Sequence, residues 1–196
     1  MSWLKQLLLN GLYKKTIKSN ALSKKRSDSK VLRTVSIILD HRMAVDISHF
    51  NKMGKALNIP KSNIRVLTYC QSDSKLETTN TALKYTGKDI TKWGVMNDFL
   101  NEFCSRKTDV LINYFDKNDI NLNYVSAKTD HQISVGLKTV DHTLNDLIID
   151  VDPKEIDVFI REKDREEAVY ICSKSKLVVD GKSKTSLSSR ICSKIQ

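Results

Sequence analysis

The chain has 196 residues, 40% of them hydrophobic and 7% aromatic, with a formal net charge of +10. That length suits one domain with a sizeable core, and no apolar run approaches the ~20 residues that a membrane-spanning helix needs. The four cysteines, Cys70, Cys104, Cys172 and Cys192, form no C-x-x-C pair, which excludes zinc-ribbon spacing and fits free thiols in a reducing cytoplasm.

The positive charge sits at the ends. Residues 1–33 hold nine Lys and Arg against Asp28 alone, and residues 171–196 hold six against Asp180 alone. The stretch between is slightly acidic in balance. Such asymmetry points to an electrostatic role for the ends rather than to a fold.

In chain order, Trp3, Leu4, Leu7, Leu8 and Leu12 recur at helical spacing with Lys5, Lys14, Lys15 and Lys18 around them. Lys5 and Gln6 interrupt the leucine run and no small-residue cleavage site follows, so a secretory signal is not expected. A basic amphipathic helix of this kind either docks its apolar stripe on the domain that follows or lies on an anionic membrane surface. Residues 19–30 are polar, charged and non-periodic, a linker or the frayed end of the helix. A β-branched strand is predicted over 34–39, with Asp40 and His41 at its carboxyl end. A helix over 46–57 follows, with Ile47, Phe50, Met53 (or Gly54) and Leu57 on one face; Pro60 stops it and a second strand covers 63–69. Residues 71–86 read as a long loop with a short helix or an edge strand.

Further along, a helix is predicted over 97–104, a strand over 108–115, a helix over 118–128 and a short strand over 132–137. The organising stretch is Leu147 to Val151, a near-continuous apolar run suited to a strand buried on both faces. Asp152, Pro153 and Glu155 follow it with capping-box spacing, which predicts a helix starting at Pro153. Alternating strands and helices give an α/β fold, an open and mostly parallel sheet with helices on both faces in a Rossmann-like or flavodoxin-like three-layer arrangement. The expected organisation is a basic helix and linker at 1–33, the α/β domain at 34–163 and a Ser/Lys-rich, weakly ordered tail at 164–196. A hairpin at Asp180-Gly181 is the one turn signal in that tail.

Taken together, four features resemble an uncharacterised family of bacterial proteins known only as a domain of unknown function. These are the basic N-terminal helix; Lys88-Asp-Ile90 followed by Trp93-Gly94; the Thr108–Tyr114 strand; and Ile133-Ser-Val-Gly136-Leu137 followed by Asn145-Asp146-Leu-Ile-Ile-Asp150-Val. The resemblance covers roughly residues 1–160 and supplies no reaction, so no catalytic residue carries over. Family members typically end in a hydrophobic helix after the final strand, whereas here Arg161-Glu-Lys-Asp-Arg-Glu-Glu167 leads into the Ser/Lys tail. A looser pattern similarity, at the level of fold, is to the amino-terminal half of lipopolysaccharide-type glycosyltransferases, and fold analogy says little about function.

Candidate chemistry is sparse. Asp40 and His41 at the end of the first strand, and Asp150 at the end of the last, are the weak catalytic candidates, because open α/β sheets bind ligands at the carboxyl ends of their strands. Asp150 and Asp152 form the weak metal candidate, a carboxylate pair suited to a divalent cation; Asp152 is better explained as a helix cap. The turn after the first strand contains no glycine, so the Rossmann and P-loop fingerprints are absent and no cofactor is expected. The basic ends lack interleaved aromatics and carry no specific nucleic-acid motif.

Three functional readings follow. The first is a non-enzymatic cytoplasmic α/β domain contacting a partner or an anionic membrane surface through residues 1–33. The second is a glycosyltransferase-like or degenerate enzyme using strand-end carboxylates near Asp40, Asp109 to Phe115 and Asp150. The third is a polyanion-binding accessory protein acting through both basic ends.

Overall fold

The computed structural model describes residues 3–23, 32–71, 83–158 and 177–180. Its centre is a parallel sheet of seven described strands: β1 (Val35–Asp40), β2 (Ile64–Cys70), β3 (Leu83–Thr86), β4 (Thr108–Tyr114), β5 (His131–Leu137), β6 (Leu147–Asp150) and β7 (Leu177–Asp180). They lie in the order β3-β2-β1-β4-β5-β6-β7, and every pairing is parallel. The expected α/β fold with an open sheet is therefore present. Residues 71–86 provide the edge strand β3; residues 72–82 and the turn at Gly181 lie outside the described residues.

Period-two alternation sends successive side chains to opposite faces. Val35, Ile37 and Leu39 join Phe50 and Met53 of α2 (Ser48–Ala56) on one face. Ile38, Leu67, Tyr69 and Leu111 face α3 (Asp98–Ser105) and α4 (Ile120–Lys128) on the other. Asn97 and Asp119 cap α3 and α4, their side chains accepting from the amides of Leu100 and Asn121. On the far side of α4 from the sheet lies α1 (Trp3–Ser23), which makes a fourth layer. Every residue of α4 from Asn121 to Ala127 is buried as a result. That burial explains why this helix carries no clean apolar stripe: it has no solvent face.

Two expectations need correction. The connection from β5 to β6, residues 138–146, contains no helix, so the alternation of strand and helix fails there. It is held instead by polar clamps. Asp146 Oδ2 accepts from the amide and the hydroxyl of Ser134, both at 2.9 Å. Ser126 Oγ donates to Asn113 Oδ1 at 2.7 Å, and Asn113 Nδ2 donates to Asn145 Oδ1 at 2.7 Å. All three residues of this chain are buried, where the linked hydrogen bonds favour one arrangement of the core, and Asn145 Nδ2 finds no partner among the described residues. Gly136 is required beside it, because a Cβ there would stand 2.3 Å from Asn145 Nδ2.

The second correction concerns the helix after β6. Residues 153–154 form a turn and helical geometry begins only at Ile156. Asp152 Oδ1 accepts from the Lys154 amide at 2.9 Å, and its carbonyl from the Glu155 amide at 2.8 Å.

Substituting Gly136→Ala should destabilise the fold by about 1–3 kcal/mol, the usual cost of overpacking. In an Asn145→Ala background the same change should cost much less, because the clashing amide is gone. Equal costs in the two backgrounds, measured by urea unfolding, would show that Gly136 and Asn145 are not coupled.

Candidate functional site

The carboxyl ends of the strands come first, because the chain's switch in direction lies between β1 and β4, the usual ligand crevice of such sheets. Asp40 ends β1 with only 3% of its surface exposed. Its carboxylate accepts from the Arg42 amide and Nε at 2.9 Å and also from Arg42 Nη2. Hydrogen bonding to Asp40 raises the Arg42 pKa, and the carboxylates of Asp119 and Asp116 add to it. Ala44, at the end of the short helix His41–Met43, takes left-handed backbone angles, with φ 48°. Beneath lie Tyr69, whose hydroxyl accepts from Asn121 Nδ2 at 3.0 Å, and the buried Phe115. Burial pushes the Tyr69 hydroxyl up to about 12. At this crevice the Asp40 carboxylate and the Arg42 guanidinium pair with each other.

The other sequence candidates are dispersed. His41 is exposed. Asp150 accepts from Lys138 Nζ at 2.7 Å, and β4 and β5 separate its strand from β1, about 14 Å at normal strand spacing. Asp109 lies at the amino end of β4, where Oδ2 accepts from the Arg33 and Thr34 amides and the Thr34 hydroxyl, all at 2.9 Å. It ties the entry of β1 to the sheet. His49 pairs with Asp157 at 3.0 Å, while His131 and His142 contact the backbone carbonyls of Thr129 and Lys138. Among the described residues no three His, Cys, Asp or Glu side chains gather as a metal site. Burial pushes the Cys104 thiol up to about 11, far from thiolate chemistry at neutral pH. A groove of about 390 Å³ lies between α2 and the start of β2, lined by Ile47, Asn51, Lys61, Ser62, Ile64 and Val66. It is away from these carboxylates.

The surface of α1 is organised differently. Leu9 and Tyr13 are buried in the α4 core, with Leu8, Leu12, Thr16, Ile17 and Asn20 half-buried beside them. Tyr13 donates to Asp141 Oδ2 at 2.9 Å, and Asn20 Nδ2 to the Ala127 carbonyl at 2.7 Å. Lys5 also turns inward, its ammonium donating to the carbonyls of Gly87 and Ile90. Burial lowers its pKa, and the nearby charge of Asp89 opposes that fall. The stripe read from the sequence is thus divided. Leu8 and Leu12 flank the packed face, whereas Trp3 is 74% exposed and Leu4 and Leu7 are also exposed. At 3.6 residues per turn, Trp3, Leu4, Leu7, Gly11, Lys14, Lys15 and Lys18 share one outward arc of roughly 120°.

A second element borders this face. Thr91 to Val95 form a tight loop closed by Thr91 N to Val95 O at 2.8 Å, Val95 N to Thr91 Oγ1 at 3.0 Å and Gly94 N to Thr91 O at 3.0 Å. Its base is the Ile90–Met96 bridge. Gly94 has φ +75°, and a Cβ there would meet Tyr124 Oη at 2.4 Å and Leu12 Cδ1 at 2.7 Å. Only glycine satisfies both demands. The Tyr124 hydroxyl donates to the Gly94 carbonyl at 2.9 Å. The loop is thereby seated between α1 and α4 and presents Trp93, 66% exposed, together with exposed Val95. Sequence reasoning noted Trp93-Gly94 only as a motif. The available signal was slight: Lys92 precedes Trp93, and Lys5 lies two residues after Trp3.

Residues 5–165 match the profile of DUF6913, a family of unknown function, and the chain belongs to that family. No curated protein and no solved structure matches it, so the likeness to glycosyltransferases has no support.

Arg42→Met should cost about 2 kcal/mol, because it strips a charged hydrogen-bond partner from the buried Asp40 carboxylate. Adding Asp40→Asn should recover part of that loss. A double variant as unstable as Arg42→Met in thermal unfolding would contradict the pairing.

Proposed function

We propose that this protein is a non-catalytic α/β domain of the cell interior that attaches to a larger surface through the outward face of α1. The observation that carries this reading is the division of α1 into two faces. One is spent on packing against α4, and the other leaves Trp3, Leu4 and Leu7 in solvent beside Lys14, Lys15 and Lys18. Clustered exposed apolar side chains with a charged border are characteristic of contact surfaces. The strand-end carboxylates support an enzyme less well. Asp40 is engaged by Arg42, Asp150 by Lys138 and Asp152 by the Lys154 amide.

The contact surface has a pH-dependent anchor. Asp141 is partly buried, which by itself raises its pKa. The Thr143 amide and hydroxyl and the Tyr13 hydroxyl outweigh that and hold it below the usual carboxylate value. A lowered folded pKa stabilises the fold above the unfolded pKa, near 4, and the stabilisation is lost as pH falls through the folded value. Wild type should therefore exceed Asp141→Asn in melting temperature at pH 7, and the gap should shrink below about pH 4. A gap independent of pH would remove Asp141 from the α1 anchor.

The attachment itself is tested with Trp3→Ser/Leu7→Ser in the full chain, neither residue being part of the core. Wild type should sediment with a larger object in a lysate gradient, and the variant should run as the free chain with an unchanged melting temperature. Identical sedimentation of the two would remove α1's outward face as the contact.

A further inference from the structure

We infer that the surface taken by this docking face is an anionic lipid bilayer, contacted by two elements at once: α1 through Trp3, Leu4 and Leu7, and the Thr91–Val95 loop through Trp93 and Val95. The inference rests on the docking reading above and names the occupant. The two elements are about 90 residues apart in sequence, and the fold joins them edge to edge. Lys5 holds the carbonyls of Gly87 and Ile90, and Leu12 packs at Gly94, so the loop runs along one flank of α1.

Charge identifies the occupant. α1 carries no acidic residue from Trp3 to Ser23. Its outward arc carries Lys14, Lys15 and Lys18, and Lys92 extends its ammonium over the Trp93 ring, 5.3 Å from the centroid. Of the acids near this face, Asp89 is turned inward to Thr86 and Asn97 and Asp141 is held by Tyr13, while Asp98 is exposed at the start of α3. Tryptophan and leucine side chains projecting beside lysines match the headgroup boundary of a bilayer. There indole rings sit at the level of the headgroups, and lysine stems lie along apolar surface with their ammonium groups among the phosphates. Among the described residues no helix is long and apolar enough to cross a membrane, so the contact is peripheral.

Both tryptophans of the chain are exposed, Trp3 on α1 and Trp93 on the loop, so intrinsic fluorescence reads each element without a label. The full chain, and the single-tryptophan chains Trp3→Phe and Trp93→Phe, are titrated with phosphatidylcholine vesicles with and without phosphatidylglycerol. The expected result is a blue shift and reduced iodide quenching for each tryptophan, on anionic vesicles only. Neutralising Lys14, Lys15 and Lys18 to Gln should weaken binding on the order of 100-fold, from the usual gain per basic residue at such surfaces.

A response from Trp3 without Trp93 would overturn the two-element contact, and an equal response to neutral vesicles would overturn the electrostatic assignment. If anionic vesicles leave both tryptophans unchanged while Trp3→Ser/Leu7→Ser still releases the chain from its heavy fraction, the bilayer is wrong. The docking face then belongs to a protein or nucleic-acid partner. If the vesicles and the fraction are both indifferent, the bilayer and the docking reading fall together.

Discussion

The rotation of α1 about its own axis is the constraint on which the rest of this surface depends. Leu9 and Tyr13 bury against α4, each contributing about 2 kcal/mol by ordinary area arguments, and they decide which residues face inward. The polar anchors then remove any freedom to roll. Lys5 is held by two carbonyls, Tyr13 by Asp141 and Asn20 by the Ala127 carbonyl. With the inner face fixed, the outer face follows from helical geometry alone. The burial of α4 is the converse of the same contact, since its polar residues Asn121, Asn123 and Ser126 are enclosed by the sheet on one side and α1 on the other.

Beneath α1 the fold relies on buried hydrogen bonds as much as on apolar packing. The residues that suggested a family, Ser134, Gly136, Asn145 and Asp146, all serve the helix-free crossing from β5 to β6. Asp146 ties the loop back to Ser134, Asn145 reaches through Asn113 to Ser126 on α4, and Gly136 leaves room for the Asn145 amide. The motif is thus a structural signature, which is why it identifies relatives without indicating a reaction. At the strand ends the same economy holds: Arg42 folds over Asp40 in the place where related sheets receive a ligand.

Much of the sheet was legible. The apolar runs at 34–39, 63–69, 108–115 and 147–151 mark strands buried on both faces, and each strand lies within a residue or two of its run. Helices α2 and α3 were readable from amphipathic spacing. The crossing at 138–146 was not, because its stability comes from side-chain hydrogen bonds between residues far apart in sequence, which leave no periodic trace. The packed face of α1 was misread for a related reason. Lys5 belongs to that face although it is charged, and Trp3, Leu4 and Leu7 do not although they are apolar. Burial of a cation against backbone carbonyls becomes visible only when the loop at 87–90 is in place. Of the candidate site, the basic and apolar character of α1 could be read from the chain, whereas the partnership with Trp93 and Val95 depends wholly on tertiary structure.

As an integral layer of the domain, α1 presents its outward face as a built surface and not as one side of a loose arm. Native-state hydrogen exchange of the α1 backbone tests it most directly. Amides between Leu8 and Ile17 should exchange only through global unfolding, with the same denaturant dependence as the amides of β1 and β4. Exchange of those α1 amides through a low-energy opening insensitive to denaturant, while β1 and β4 stay protected, would contradict it.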